Sequence, residues 1–285
     1  MSMLHSLYAF GVFCVVVIGT LFLKFVGDEH WMYLTMFFAA LPIVASILFM
    51  LSPMPDMSTS ETSAVSQKST RRTIGIALCV GCIFLGSCAE NAMSNWISGF
   101  MEAELQIDKA IGDIFGMAMF AILLGITRIC YAKWGKNICK MLLIGMIGAT
   151  VCYLVAGFST HIVPAFIACI LTGIFTSMLW PGTLIMMEEK IPNAGVAAFA
   201  LMAAGGDLGA AVGPQLLGIV VDRVAASDFF AQMAVSFNLS AEQLGLKVGM
   251  LTTALFPIVG IAVVLVIMRH FKKAESGKPA SAEGE

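Results

Sequence analysis

The stretch AAGGDLGAAVGP, residues 203 to 214, sets a carboxylate, Asp207, in a run of Gly and Ala with long apolar sequence on either side. Apolar surroundings disfavour the charged form of a carboxylate, so the position suits a group that takes up a proton or holds a cation. The competing reading makes Asp207 a hydrogen-bond acceptor in helix packing. A second carboxylate, Glu90, belongs to CAENAMSNWISGF (88 to 100). With Ser87 just ahead of it, Glu90, Asn91, Ser94, Asn95 and Ser98 recur at three- and four-residue spacing, which a helix gathers into one stripe. Lipid cannot satisfy such a stripe, and an ionised residue near mid-bilayer costs roughly 2.5 to 3.5 kcal/mol on insertion scales. The Asn and Ser residues alone could be interhelical glue; with Glu90 among them the stripe reads as a cavity lining.

In LTGIFTSMLWPGT (171 to 183), Thr172, Thr176, Trp180 and Thr183 share a helical face. Threonine can bond its own helix backbone, so the more telling signal is Trp180-Pro181-Gly182. Pro removes a helix hydrogen bond and Gly adds freedom, which predicts a bend there with exposed backbone groups. Trp180 then either stacks on a ligand such as a sugar ring or belongs to an interfacial aromatic belt. Gly205, Gly209 and Gly213 recur every four residues, leaving one helix face without side chains so that another backbone can approach, and Pro214 is expected to kink the same helix. Cys79-Val-Gly-Cys82 has a spacing that can chelate zinc or cycle between thiol and disulfide. It lies within an apolar span with no His or Asp beside it, so its thiols read as buried small hydrophobes. His5, His30, His161 and His270 are scattered near span ends, and none sits beside a Ser, Cys or Asp in a pattern suggesting a triad or metal site, which argues against an enzyme; no cofactor is expected. Asn238-Leu-Ser240 matches a glycosylation acceptor, a three-residue pattern too common to carry weight.

These residues sit in a chain of 285 residues that is 59% hydrophobic and 12% charged, a membrane composition. Predominantly apolar segments of about 20 residues, enough to cross a ~30 Å hydrocarbon core, occur near 6 to 26, 31 to 51, 73 to 100, 110 to 130, 138 to 158, 161 to 186, 194 to 221 and 248 to 268. The fold class is therefore all-α, a polytopic membrane protein of eight transmembrane helices in the lipid bilayer. With an even number of spans both termini share one side, and twelve of the 16 Lys and Arg fall on that side, which predicts that it is cytoplasmic. A net charge of −2 gives no reason to expect nucleic acid. The Pro/Ser/Thr-rich segment 52 to 72 reads as a linker. The polar stretch 222 to 247 has room for a short surface helix.

Taken together, Ala89 to Trp96, Leu179 to Thr183 and Gly206 to Pro214 resemble blocks of the major facilitator superfamily, in a bacterial branch. Gly209 to Pro214 is similar to that family's G-x-x-x-G-P helix motif. Arg128 to Lys136, with Gly135, is similar to its basic inner-loop motif, although the usual Asp is missing. The resemblance implies helices 5 to 12 of a twelve-helix fold. Residues 1–51 would be the last two helices of the N-terminal half, 52–72 the cytoplasmic linker, 73–270 the complete six-helix C-terminal half and 271–285 a polar cytoplasmic tail. The first four helices would be absent from this chain. It further implies a secondary active transporter in the bacterial cytoplasmic membrane working by alternating access, with a monomer favoured; the carboxylates suit proton coupling, and the paired Asn, Trp and carboxylate residues suit a small polar solute such as a sugar. Glu90 and Asp207 would carry protons or touch the solute, Asn91 and Asn95 would bond its hydroxyls, and Trp96 and Trp180 would pack on its apolar face. Arg128, Gly135, Gly209, Gly213 and Pro214 would serve gating and packing. An inactive truncated fragment and a non-transporting membrane scaffold or receptor are the other readings.

Overall fold

A computed structural model describes residues 2–53 and 70–275 of the chain. Most of the predicted linker, 54–69, and most of the predicted tail, 276–285, lie outside the described residues. In lipid an apolar segment must bond its backbone internally, and the described chain does so through helices alone. The helix α1 (Ser2–Val26) leads through a 3-10 turn (Asp28–His30) into α2 (Trp31–Leu51), and α3 (Thr70–Ala103) follows. A single turn, α4 (Lys109–Ile111), runs on as a π-helical stretch (Gly112–Ala118) and α5 (Met119–Trp134), forming one span. Next come α6 (Ile138–Phe158), α7 (Ile162–Thr176), α8 (Leu179–Lys190) and α9 (Val196–Ala225). The short α10 (Asp228–Ser236), α11 (Ala241–Thr253) and α12 (Leu255–Glu275) complete the order.

Eight helical segments are long and apolar enough to cross a membrane, in the positions read from the sequence. The last one is longer than expected, running from Ala241 rather than 248. Ser240 and Gln243 explain the early start, because each side chain bonds the other's backbone N–H in a capping box. The short helix allowed within 222–247 is α10. At 1.5 Å per residue the 34 residues of α3 extend about 51 Å, well beyond a ~30 Å core, so α3 projects from the membrane or tilts within it.

Two spans are interrupted, each four residues ahead of a proline. The expected bend at Trp180-Pro181-Gly182 lies instead between Thr176 and Leu179. Pro181 has no N–H to give the carbonyl of Ser177, and its ring crowds that carbonyl, so the break appears one turn earlier. Pro257 acts in the same way on Thr253, and the helix restarts at Leu255. Pro214, by contrast, sits inside α9 without ending it.

Helix α3 lies at the centre, touching α7, α8, α9, α11 and α12. Its closest partner is α9. A Cβ on Gly209 would lie 2.3 Å from the Phe84 carbonyl oxygen, and one on Gly213 would lie 2.5 Å from that of Cys88. On Gly205 it would come within 2.8 Å of Val80 Cγ1. The partners Val80, Phe84 and Cys88 also recur every four residues, so the bare glycine face of α9 lies against one face of α3 along three turns. One apolar cluster gathers Met93, Ile97, Phe100, Tyr153 and Met250, and a second gathers Cys79, Ile83, Leu142, Met187 and Ile267. Cys79 and Cys82 are buried within the second, as small apolar groups. Outside this bundle α1 packs on α5 and the π-helical stretch, with Ala9 against Gly125. Helix α2 buries none of its side chains.

Candidate functional site

The Glu90 carboxylate and the Arg128 guanidinium meet at the heart of the bundle, Nη2 donating to Oε1 at 3.0 Å and to Oε2 at 3.2 Å. Both side chains are nearly inaccessible. The remaining guanidinium donors reach two other elements: Nη1 donates to the His5 carbonyl of α1 at 3.0 Å, and Nε donates to the Ser177 carbonyl at 2.8 Å. Ser177 is the residue whose carbonyl Pro181 leaves without a helical donor. A missing N–H in one helix is thus made good by a cation from another. Reading Arg128 as part of an inner loop is therefore corrected: Arg128 to Trp134 belong to α5, and only residues 135 to 137 leave the helix. Gly135 is the C-cap of α5, and a Cβ there would come within 2.4 Å of the Tyr131 ring.

Around this pair lies a cavity of about 260 Å³ whose wall includes His5, Tyr8, Asn91, Trp180 and Asp207. Asp207 is exposed on the face of α9 next to the one that packs on α3. Trp180 stands in the first turn of α8 beside the Ser177 break, its ring 5.0 Å from that of His5 at 61°. The ring lies so close to α9 that a Cβ on Gly206 would meet Nε1 at 2.3 Å. A second cavity, about 540 Å³, shares Tyr8, Glu90 and Asn91 and continues along the α3 stripe past Ser94 and Asn95. The stripe thus faces open space over much of its length. Asn91 gives its amide to the Ser87 carbonyl at 3.0 Å, and Asn95 to the Asn91 carbonyl at 2.8 Å. The three threonines, Thr172, Thr176 and Thr183, bond their own backbone one turn back.

Trp96 departs from its expected place. It lines neither cavity. Its indole N–H donates to the Pro214 carbonyl at 3.0 Å and its ring covers Gly218, so it ties α3 to α9. The face of α3 that carries Trp96 is the one turned toward α9, a quarter turn from Asn95.

Sequence alone does not single out three further features. Tyr8 and His5 bring an aromatic wall from α1, whose apolar run hides them. Asp113 lies in the π-helical stretch and accepts from Ser98 Oγ of α3 and, at 3.3 Å, from Thr20 Oγ1 of α1. Its signal is a lone carboxylate near the start of an apolar span. Glu104 and Lys247 form an ion pair of 2.7 Å between side chains only 5% and 12% exposed, and Lys247 also donates to the Ser159 carbonyl. The ends of α3 and α6 are joined to the middle of α11 there. Glu104 Oε2 is buried and has no hydrogen-bond partner among the described residues.

Burial raises the pKa of the Glu104 carboxyl, with the Lys247 hydrogen bond and charge opposing the shift. A folded pKa above the unfolded value means that the native state holds this proton more tightly. Its contribution to stability is then complete below the ordinary carboxylate range and is lost as pH rises through the raised value. Melting of the purified protein followed from about pH 4 to about pH 8 should show that decline, and Glu104→Gln should flatten it. An undiminished slope in the variant would remove Glu104 as its source.

In chemical terms the site offers two carboxylates, a guanidinium, two amides and aromatic faces around two adjoining spaces of about 260 and 540 Å³. A family model described as Major Facilitator Superfamily matches residues 1–214. No curated protein and no solved structure matches the chain.

Proposed function

Because the chain belongs to the Major Facilitator Superfamily and is a membrane transporter, we propose that it is a secondary active, proton-coupled carrier of a small polar solute, with a sugar as the favoured class. The observation that carries this reading is the exposed Asp207 carboxylate sharing a cavity with the Glu90–Arg128 pair, Asn91 and Trp180. A hydroxyl-rich solute needs donors and acceptors around a flat apolar face, and these groups supply both. In this reading Asp207 takes and releases the coupled proton. Asn91 and Asn95 bond solute hydroxyls, Trp180 packs on the ring, and Glu90 is oriented by its two hydrogen bonds from Arg128.

Alternating access would come from α1 and α2, as part of one half, rocking against the six spans that begin with α3. The seam between them runs along α1 and α5, where Arg128 bonds the His5 carbonyl and Asp113 bonds Thr20. Those contacts would break and re-form in each cycle, while the close packing of the α9 glycine face on α3 keeps the second half rigid. The excess of Lys and Arg on the side of the termini supports a cytoplasmic placement of both ends, in a bacterial inner membrane.

The test is accumulation of labelled sugars in membrane vesicles under an imposed pH gradient. Wild type should accumulate its solute, and Asp207→Asn should abolish gradient-driven accumulation while leaving the amount of protein in the membrane unchanged. Wild-type accumulation by Asp207→Asn would remove Asp207 from coupling.

A further inference from the structure

A third cavity, about 600 Å³, opens far from the site just described, at the end of the bundle that carries both termini. Four cations line it: Lys136 from the α5–α6 turn, Lys190 from the end of α8, and Arg269 and Lys272 from α12. Glu189 is the one acid in the lining. The N-terminus of the 21-residue α6 also faces it, with Asn137 and Ile138 in the wall, and adds the positive end of a helix dipole. Like charges gathered around one hollow repel one another, and an anion placed among them relieves that repulsion.

The rest of the wall is apolar. Leu265 and Met268 precede Lys272 on one face of α12, and Phe271 lies beside them. The stripe continues two turns further into the membrane through Ile258, which is 41% exposed, as Leu265 is 40% exposed. A cationic hollow at a span end that passes into an exposed apolar stripe matches a molecule with a negative head and a hydrocarbon tail. A free phosphate would use only the first part.

We propose that this cavity is a binding site for an anionic phospholipid, its phosphate held by Lys136, Arg269 and Lys272 and an acyl chain lying along Leu265 and Ile258 of α12. The site is independent of the transport cavity. Occupancy would fasten α12 to the α5–α6 turn and α8, three elements that also meet through the apolar cluster around Ile138, Ile191 and Phe271.

Native mass spectrometry of the purified chain, offered phosphatidylglycerol and phosphatidylcholine in equal amounts, reads this directly. The wild type should retain phosphatidylglycerol in clear excess. Lys136→Gln with Arg269→Gln should lower that preference by about tenfold or more, because each Lys or Arg beside an anionic headgroup strengthens its binding by roughly fivefold. Lys109→Gln, a cation at the opposite end, should leave it unchanged. Equal retention of the two lipids by wild type, or an unaltered preference in the double variant, would overturn the proposal. Displacement of the lipid by millimolar inorganic phosphate would identify a soluble anion as the occupant and overturn it as well.

Discussion

Arg128→Met is expected to abolish transport and to lower the melting temperature sharply, whereas Arg128→Met with Glu90→Met should recover much of the stability without recovering transport. The single change strands a buried Glu90 carboxylate and, with it, two carbonyls, those of His5 and Ser177, that Arg128 now satisfies. Removing one partner of a buried pair costs about 3–5 kcal/mol, since the remaining charge keeps its desolvation penalty. Replacing both partners with apolar groups of similar volume removes that penalty and is often neutral. Transport stays absent in the double variant because the cavity then has neither its guanidinium nor the paired carboxylate. Melting in detergent and uptake in vesicles, measured on both variants, separate the two effects. A double variant as unstable as the single one would show that the carbonyl contacts, rather than the charge, dominate.

Gly213→Leu is the second change expected to act strongly, and it acts on the fold. A Cβ at this position would lie 2.5 Å from the Cys88 carbonyl oxygen, 2.7 Å from its Cα and 2.9 Å from its carbonyl carbon. All three are backbone atoms and cannot swing aside. Overpacking by a flexible neighbour costs about 1–3 kcal/mol, and here the helices themselves must separate, so a loss above about 3 kcal/mol is expected. The Trp96 bond to Pro214, one residue away, would break with it. Gly81→Ala is the control, for nothing lies within 4 Å of its added Cβ. It should be neutral, or stabilising by up to about 1 kcal/mol through helix propensity. Comparable melting of the two variants would mean that α3 and α9 do not depend on their close approach.

The eight spans are legible in the sequence because the demand of lipid on a backbone leaves a long and uniform apolar signal. The bare face of α9 is legible as well, since Gly recurs there with the helical period. What escapes the sequence depends on groups that act away from their own position. Pro181 breaks the helix at Ser177, one turn earlier than the proline itself suggests. Arg128, near the end of an apolar run and followed by Lys133 and Lys136, reads as a loop cation. A charge this far inside a helix needs a partner, and Glu90 is an available carboxylate, but that pairing takes the fold to assert. Trp96 and Asn95 are neighbours in sequence, and by residue type both suit a solute. Only the packing of α3 on α9 shows that the indole turns to Pro214 while the amide turns to the larger cavity. Asp113 and the Glu104–Lys247 pair carry no periodic signal at all.

The bond network of Arg128 also bears on how the chain enters a membrane during synthesis. Spans are delivered in order, and a guanidinium arriving alone in hydrocarbon is costly. Glu90 precedes Arg128 by 38 residues, on the span immediately before, so its counter-charge is already present when α5 is delivered. The His5 carbonyl, 123 residues earlier, is also in place by then. The Ser177 carbonyl follows Arg128 by 49 residues and emerges unbonded because of Pro181, ready to be taken up by a cation that has been waiting for it. The guanidinium thus meets its counter-charge on arrival, and the order of the chain leaves Glu90 alone to wait, for one span, for its charge partner.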